Sequence, residues 1–227
     1  MNRYSLINEK LPREFLLLQG TGCRWRKCTF CDYHNDVGDK PFEVNREVLS
    51  MVTGVYGVLD IINSGSCHEL DGNTLDLISQ TATEKKIHTV WFETHWMYKD
   101  KLSEFAARFP NINVKFRTGI ETFDAAVRDG WNKGIPNDVG ATDAARYFQG
   151  VCLLFGVEGQ TIESVSRDIE LASEYFEYFS VNAFVENSTA LKRDNSLVER
   201  FVELWYDTLQ SNPKAEVLIN NTDLGVG

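Results

Sequence analysis

The stretch Phe15-Leu-Leu-Leu-Gln-Gly-Thr-Gly-Cys-Arg-Trp-Arg-Lys-Cys-Thr-Phe-Cys-Asp-Tyr-His34 passes from a short apolar run into a loop carrying Cys23, Cys28 and Cys31. That order predicts a strand over Phe15–Leu18 ending in a cluster loop. Three thiolates can hold three irons of a cubane cluster and leave the fourth iron open, whereas the electron-transfer arrangement uses four cysteines. An open metal position accepts a ligand that reacts. The run continues to His34, so three cysteines and one histidine also permit a closed tetrahedral zinc site, which iron content distinguishes from a cubane.

Outward from this loop, apolar runs alternate with helical segments. Strands are predicted over Phe15–Leu18, Val58–Ile62, His88–Phe92, Ile112–Arg117, Val151–Phe155 and Phe179–Phe184, with a further short candidate at Glu216–Asn220. Helices are predicted over Arg46–Val52, Asn73–Lys85, Lys101–Phe109, Thr122–Lys133, Thr161–Phe176 and Asn195–Leu209. In Thr161–Phe176, Ile162, Val165, Ile169 and Ala172 recur at intervals of three and four behind a capping threonine, the pattern of one buried helical face. Six strands alternating with helices favour parallel pairing through right-handed crossovers, in a sheet curved into an incomplete barrel. The expectation is an α/β fold, a partial (β/α)6 barrel with mainly parallel strands.

The chain has 227 residues with no linker rich in Pro, Gly or Ser and no repeat, so a single domain with a short C-terminal tail is expected. Asp and Glu number 33 against 23 Lys and Arg, a net charge of -10 that disfavours duplex nucleic acid as a partner. No apolar stretch approaches a membrane span, and Met1-Asn-Arg-Tyr-Ser5 lacks the apolar core of a signal peptide, which predicts a cytoplasmic protein without a membrane partner. The cysteine pattern is no disulfide framework in a chain of this size. Cys152 reads as a small apolar strand residue, and Cys67 either packs or faces a site.

In a parallel sheet the carboxyl ends of the strands gather on one side, and residues just past each run form the site. Here these are Gln19 and the cysteine loop, Asn63-Ser-Gly-Ser66, Glu93-Thr-His95, Arg117-Thr-Gly-Ile-Glu121, Gly156-Val-Glu-Gly-Gln160 and Val185-Glu-Asn187. Each has a plainer reading. Gly119 and Gly156 serve as turn residues, Arg117 pairs with a carboxylate, and Glu121 places charge at a helix start. Glu93 and His95 are the candidate catalytic pair, a carboxylate able to accept from a substrate amide and an imidazole able to donate or transfer a proton, set against a scaffolding role. His88 reads as structural. Arg24-Trp-Arg-Lys27 is either a solvated cationic loop or a phosphate contact.

With these motifs in place, the chain resembles the radical S-adenosylmethionine superfamily over most of its length. The usual signature has three residues between its first two cysteines and this chain has four, a departure that bears on the subgroup. The resemblance implies that Cys23, Cys28 and Cys31 ligate a [4Fe-4S] cluster and that Phe30 packs beside the adenine of S-adenosylmethionine. It further implies that Ser64, Gly65 and Ser66 meet the methionine amino group, although the glutamate usual in that segment is missing there. Arg117 and Glu121 would contact the carboxylate and ribose, Gly156 and Val157 would bring backbone close to adenine, and Val181, Asn182 and Ala183 would serve the adenine edge. The chemistry implied is reductive cleavage of S-adenosylmethionine to methionine and a 5′-deoxyadenosyl radical, fed by a flavodoxin- or ferredoxin-type reductant. The protein's part would be to orient substrate and exclude water.

The cysteine spacing, the Ser-Gly-Ser segment, the small size and the ending Asn221-Thr-Asp-Leu-Gly-Val-Gly227 are similar to the queuine lyase group, which implies a nucleoside or nucleotide substrate, queuosine or its 5′-phosphate. No cysteine set remains for auxiliary clusters. Two other classes stay open on sequence alone: an activating enzyme that installs a glycyl radical on a partner protein, and a non-enzymatic metal-binding module.

Overall fold

The computed structural model describes residues 1–227. Eight strands follow one another in the order β1-β2-β3-β4-β5-β6-β7-β8. The chain divides into two compact units, the first made of Met1–Arg26, Tyr33–Phe116 and Thr222–Gly227, the second of Lys27–Asp32 and Arg117–Asn221.

In the first unit, β1 (Tyr4–Ile7) runs antiparallel to β2 (Arg13–Leu18), and β2, β3 (Val58–Asn63) and β4 (Thr89–Glu93) are parallel. Parallel neighbours need crossovers, supplied by α1 (Pro41–Ser50) and α2 (Gly72–Glu84). Pro41 opens α1, where a missing N–H costs nothing, and the Asp71 side chain caps α2 by accepting from the Thr74 N–H at 2.9 Å. A 3-10 turn, Trp96–Lys101, leads into α3 (Leu102–Ala106). One sheet face, carrying Leu16, Leu18, Leu59, Ile61, Val90 and Phe92, is sealed from solvent, with Phe92 edge-on to Phe105 of α3 at 5.1 Å. The alternate residues Leu17, Ile62, Trp91 and Glu93 are half-buried on the other face.

The second unit holds the end of β5 (Asn113–Glu121) with β6 (Gly150–Phe155), β7 (Tyr178–Ala183) and β8 (Ala215–Leu218), all parallel. Its helices are α4 (Ala125–Gly130), α5 (Ala141–Ala144), α6 (Ile162–Tyr175) and α7 (Asn195–Ser211). Thr161 and Asp194 cap α6 and α7 by accepting from Ser164 and Leu197 N–H groups. Phe155 packs on Phe201 of α7 at 3.9 Å between ring centroids.

Three differences from the sequence reading matter. β1 was not expected, being four residues with little alternation. β5 runs on to Glu121, four residues past the end expected at Arg117. The helix expected to reach Lys133 stops at Gly130, because Asn132 and Gly134 adopt left-handed φ of 56° and 71° and turn the chain away. The tail returns to the first unit, where Asn2 and Gly227 exchange backbone hydrogen bonds at 3.1 and 2.8 Å. No helix is long and apolar enough to cross a membrane.

Candidate active site

In the first unit the segment after β3 is built around a glutamate that lies three residues past the Ser-Gly-Ser run. Glu69 is 9% exposed. Its Oε2 accepts from the Ser66 N–H at 2.7 Å, and its Oε1 accepts from the Arg24 N–H at 2.9 Å and the Tyr98 hydroxyl at 3.0 Å. One carboxylate thus joins the Ser-Gly-Ser segment to the residue after Cys23. Burial and the Glu69 charge push the Tyr98 hydroxyl up to about 12, which keeps it a donor. Gly65 makes the arrangement possible, because a Cβ there would lie 2.2 Å from Glu69 Oε2 and 3.1 Å from the Cys23 Cα. The Glu69 carbonyl also accepts from the Thr21 N–H at 3.1 Å, a second tie to the cysteine loop.

Both serine hydroxyls of this segment have protein partners. Ser64 donates to Asp36 at 3.0 Å, and the Ser66 hydroxyl accepts from the His95 N–H at 3.0 Å. Hydrogen bonds from Arg3, Gln19 and Ser64 hold the Asp36 carboxyl below its usual range despite its burial. His95 is buried, stacked on Trp25 at 5.3 Å, and its Nδ1 accepts from the Met97 N–H at 3.1 Å. That bond assigns the proton of the neutral ring to Nε2. Glu93 ends β4 on the half-buried face that carries Trp91. Cys67 is fully buried beside His68, its thiol pushed up by burial, which settles it as a packing residue.

In the second unit Cys28, Phe30 and Cys31 occupy a short segment fixed at several points. Thr29 N–H donates to the Trp131 carbonyl at 3.0 Å, Asn187 Nδ2 donates to the Phe30 carbonyl at 2.8 Å, and the Ser188 hydroxyl donates to Asp32 at 2.8 Å. Phe30 is buried with Trp131, Val157 and Phe184, and Cys28 and Cys31 pack against that group. Lys133 places its ammonium 5.5 Å from the Phe30 ring centroid and 2.8 Å from Glu121 Oε1. Although burial opposes its charge, the Glu121 carboxylate and then Cys28 and Cys31 hold the Lys133 ammonium protonated well above the usual range.

Glu121 reaches this pair through unusual backbone. The register of β5 on β6 slips between Gly119 and Glu121, and Glu121 has a φ of 65°. A bulge of this kind re-aims a side chain at a strand end, and left-handed backbone at a non-glycine residue persists where surrounding contacts hold it. Gly119 clears the space: a Cβ would lie 2.3 Å from Glu121 Oε1 and 3.0 Å from Lys133 Nζ. Arg128, fully enclosed, ties down the loop bearing Lys133 by donating to the carbonyls of Thr122, Pro136 and Val139.

The remaining expected residues fall in different places. Arg117 pairs in register with Gly150, the first residue of β6, and lies over the Tyr178 ring at the start of β7, away from the carboxyl ends of those strands. Gly156 has a φ of 81°, and its missing Cβ makes room for Val198 of α7 at 2.6 Å, a packing reason for glycine. The Val157 N–H donates to Gln160 at 3.0 Å. In β7, Val181 and Ala183 are buried, while the Asn182 Oδ1 is enclosed with no hydrogen-bond partner. An orphaned buried acceptor near the end of β7 fits a ligand that donates. Cys152 packs in β6 as expected.

None of the five cysteines is in a disulfide, and Cys23, Cys28 and Cys31 are half-buried. No three His, Cys, Asp or Glu side chains converge on one point where they could share a single metal ion. A cubane asks instead for thiolates on three separate irons, and a buried ammonium near two of the thiols suits an anionic cluster. The donor set therefore fits the cluster. Glu69 and Lys133 escaped the sequence reading. Ser66-Cys-His-Glu69 carries the S-x-x-E signature of a capping box, a signal that could have found the first; nothing local joins Lys133 to Glu121.

No family model matches the chain, and no curated protein matches it. Among solved structures, the chain is similar to queuine lyase from Clostridium spiroforme bound to SAM and queuine. The two are 41% identical, the match covers 100% of this chain and 99% of that one, and the TM-score is 0.95. This likeness bears out the α/β partial barrel with mainly parallel strands, built on eight strands where six and a further short candidate were expected.

Proposed function

The chain belongs to the queuine lyase family of radical S-adenosylmethionine enzymes, and on that premise we propose that it releases queuine from queuosine or queuosine 5′-phosphate after hydrogen abstraction from the ribose. The observation that carries this reading is the likeness, over the full length at 41% identity, to a lyase holding both SAM and queuine. Cys23, Cys28 and Cys31 hold a [4Fe-4S] cluster. When bound, the cluster and S-adenosylmethionine supply the reductive bond cleavage that starts the reaction, with the electron drawn from a flavodoxin- or ferredoxin-type protein.

The chain's own residues orient and enclose. The Ser64-Gly65-Ser66 segment, braced by Glu69 and Asp36, offers backbone to the methionine end of the cofactor. Phe30 and Val157 form an apolar wall for adenine, and the Asn182 amide and Ala183 backbone lie at the strand end that serves its edge. Glu121 meets the ribose or carboxylate. Glu93 accepts from the donor edge of the guanine-like base, and His95, protonated at Nε2, acts as a hydrogen-bond donor toward substrate. Cationic residues of the Arg24–Lys27 loop suit a 5′-phosphate.

The test is to reconstitute the cluster anaerobically and offer queuosine, queuosine 5′-phosphate and guanosine with reductant and S-adenosylmethionine. Queuine release from the first or second, and none from guanosine, is the expected result. Cofactor cleavage without base release would remove the substrate assignment while leaving the superfamily intact.

A further inference from the structure

Lys133 lies outside every motif read from the sequence, yet in the second unit it is held between the Glu121 carboxylate and the Phe30 ring. Its loop docks on the cysteine segment through the Thr29 N–H to Trp131 carbonyl bond and the edge-on contact of Phe30 with Trp131 at 5.7 Å. The Lys133 and Glu121 side chains are each 11% exposed. Burying an ion pair is costly unless its geometry is excellent and its remaining hydrogen bonds are satisfied, and an apolar pair of the same volume is often as stable. Here the ammonium also sits over the face of Phe30, the residue just before Cys31, where fixed positive charge acts on the thiolates through a low dielectric.

We infer that Lys133 is a positioning residue for the electron: a buried cation that raises the reduction potential of the cluster held by Cys28 and Cys31, with Glu121 as its counter-charge. The inference rests on the cluster assignment made above. Net charge close to an iron–sulfur cluster is one of the terms that set its potential. On reduction the cluster gains one electron from the flavodoxin- or ferredoxin-type donor and no proton; Lys133 stays protonated throughout. Without its cation, the reduced cluster would face the Glu121 carboxylate uncompensated.

The experiment is a redox titration of the reconstituted cluster, followed by paramagnetic resonance in the absence of S-adenosylmethionine. Lys133→Met should lower the ratio of reduced to oxidised cluster at a fixed potential about tenfold, a shift of about 59 mV to the negative for a one-electron couple. Lys133→Arg should stay close to wild type because the charge remains. Glu121→Gln should move the potential the opposite way, and this variant decides the matter if Lys133→Met fails to take up iron. An unmoved potential in Lys133→Met or, where that protein holds no cluster, in Glu121→Gln overturns the inference. If S-adenosylmethionine binding weakens while the potential stays put, the ammonium belongs to the cofactor's carboxylate. A wild-type protein that binds no iron would sink the cluster reading itself, and this inference with it.

Discussion

Each unit has a buried glutamate seated in space made by a glycine, and the two solve the same problem differently. Gly65 leaves room for Glu69, with a Cβ only 2.2 Å from its oxygen, and Gly119 leaves room for Glu121 at 2.3 Å. Glu69 is neutralised by no cation in its hydrogen-bond set; its partners are two backbone N–H groups and a tyrosine hydroxyl. Glu121 is matched by an ammonium. Dispersed N–H donors fix the path of the main chain, because each bond pins a peptide. A paired side-chain cation fixes charge and leaves the main chain free to be set by other contacts. The first arrangement suits a loop whose shape must be rigid, the second a place where electrostatics matters more than shape.

The contrast predicts unequal costs for the same methyl group. Gly65→Ala presses against the Glu69 oxygen and also against the Cys23 backbone at 3.1 and 3.3 Å, which cannot swing aside. It should destabilise by about 3 kcal/mol, at the upper end for overpacking, with poor iron uptake; thermal melting and iron content read both. Near-wild-type values would show the loop to be pliable and break the comparison.

Glu69→Gln comes next. All three partners of the carboxylate are donors, so the amide nitrogen must face one of them, and at least one backbone N–H, of Arg24 or Ser66, is left unpaired. An orphaned buried donor costs about 1–3 kcal/mol. Equilibrium denaturation would measure it, and Gln stability equal to Glu would mean the three-donor network does not hold in solution.

Gly119→Ala should be the mildest, about 1 kcal/mol at the low end of the same overpacking range. The atoms it meets are the ends of the flexible Glu121 and Lys133 side chains. Its mark is electrostatic: the ion pair separates, which perturbs the cluster's resonance spectrum more than the melting temperature. A stability loss as large as that of Gly65→Ala would erase the distinction between the two units.

Much of the frame was legible in the sequence because the apolar runs are dense and the crossover helices carry caps. The strand cores Phe15–Leu18, Val58–Ile62 and Val151–Phe155 lie within observed strands, and Thr161 caps α6 as its spacing suggests. β1 stayed hidden because four residues paired on one side leave little pattern. The end of β5 was set short at Arg117 because Thr118-Gly-Ile120 reads as a turn, whereas the sheet continues and takes up the extra residue as a bulge. The cysteine loop announced itself through spacing, and Ser64–Ser66 through its place just past a strand. The carboxylate that braces them did so only as a capping pattern, and Lys133 meets Glu121 across 12 residues of chain by tertiary folding alone. Local chemistry is written locally; charge pairing is not.

The central claim is that base release is driven by the radical cofactor, and it is tested most directly by counting products under anaerobic turnover with queuosine and queuosine 5′-phosphate in turn. The account predicts queuine and 5′-deoxyadenosine formed together in proportion, with both lost when Cys23, Cys28 or Cys31 is replaced by alanine. Queuine released without 5′-deoxyadenosine, or released undiminished by a cysteine variant, would contradict it.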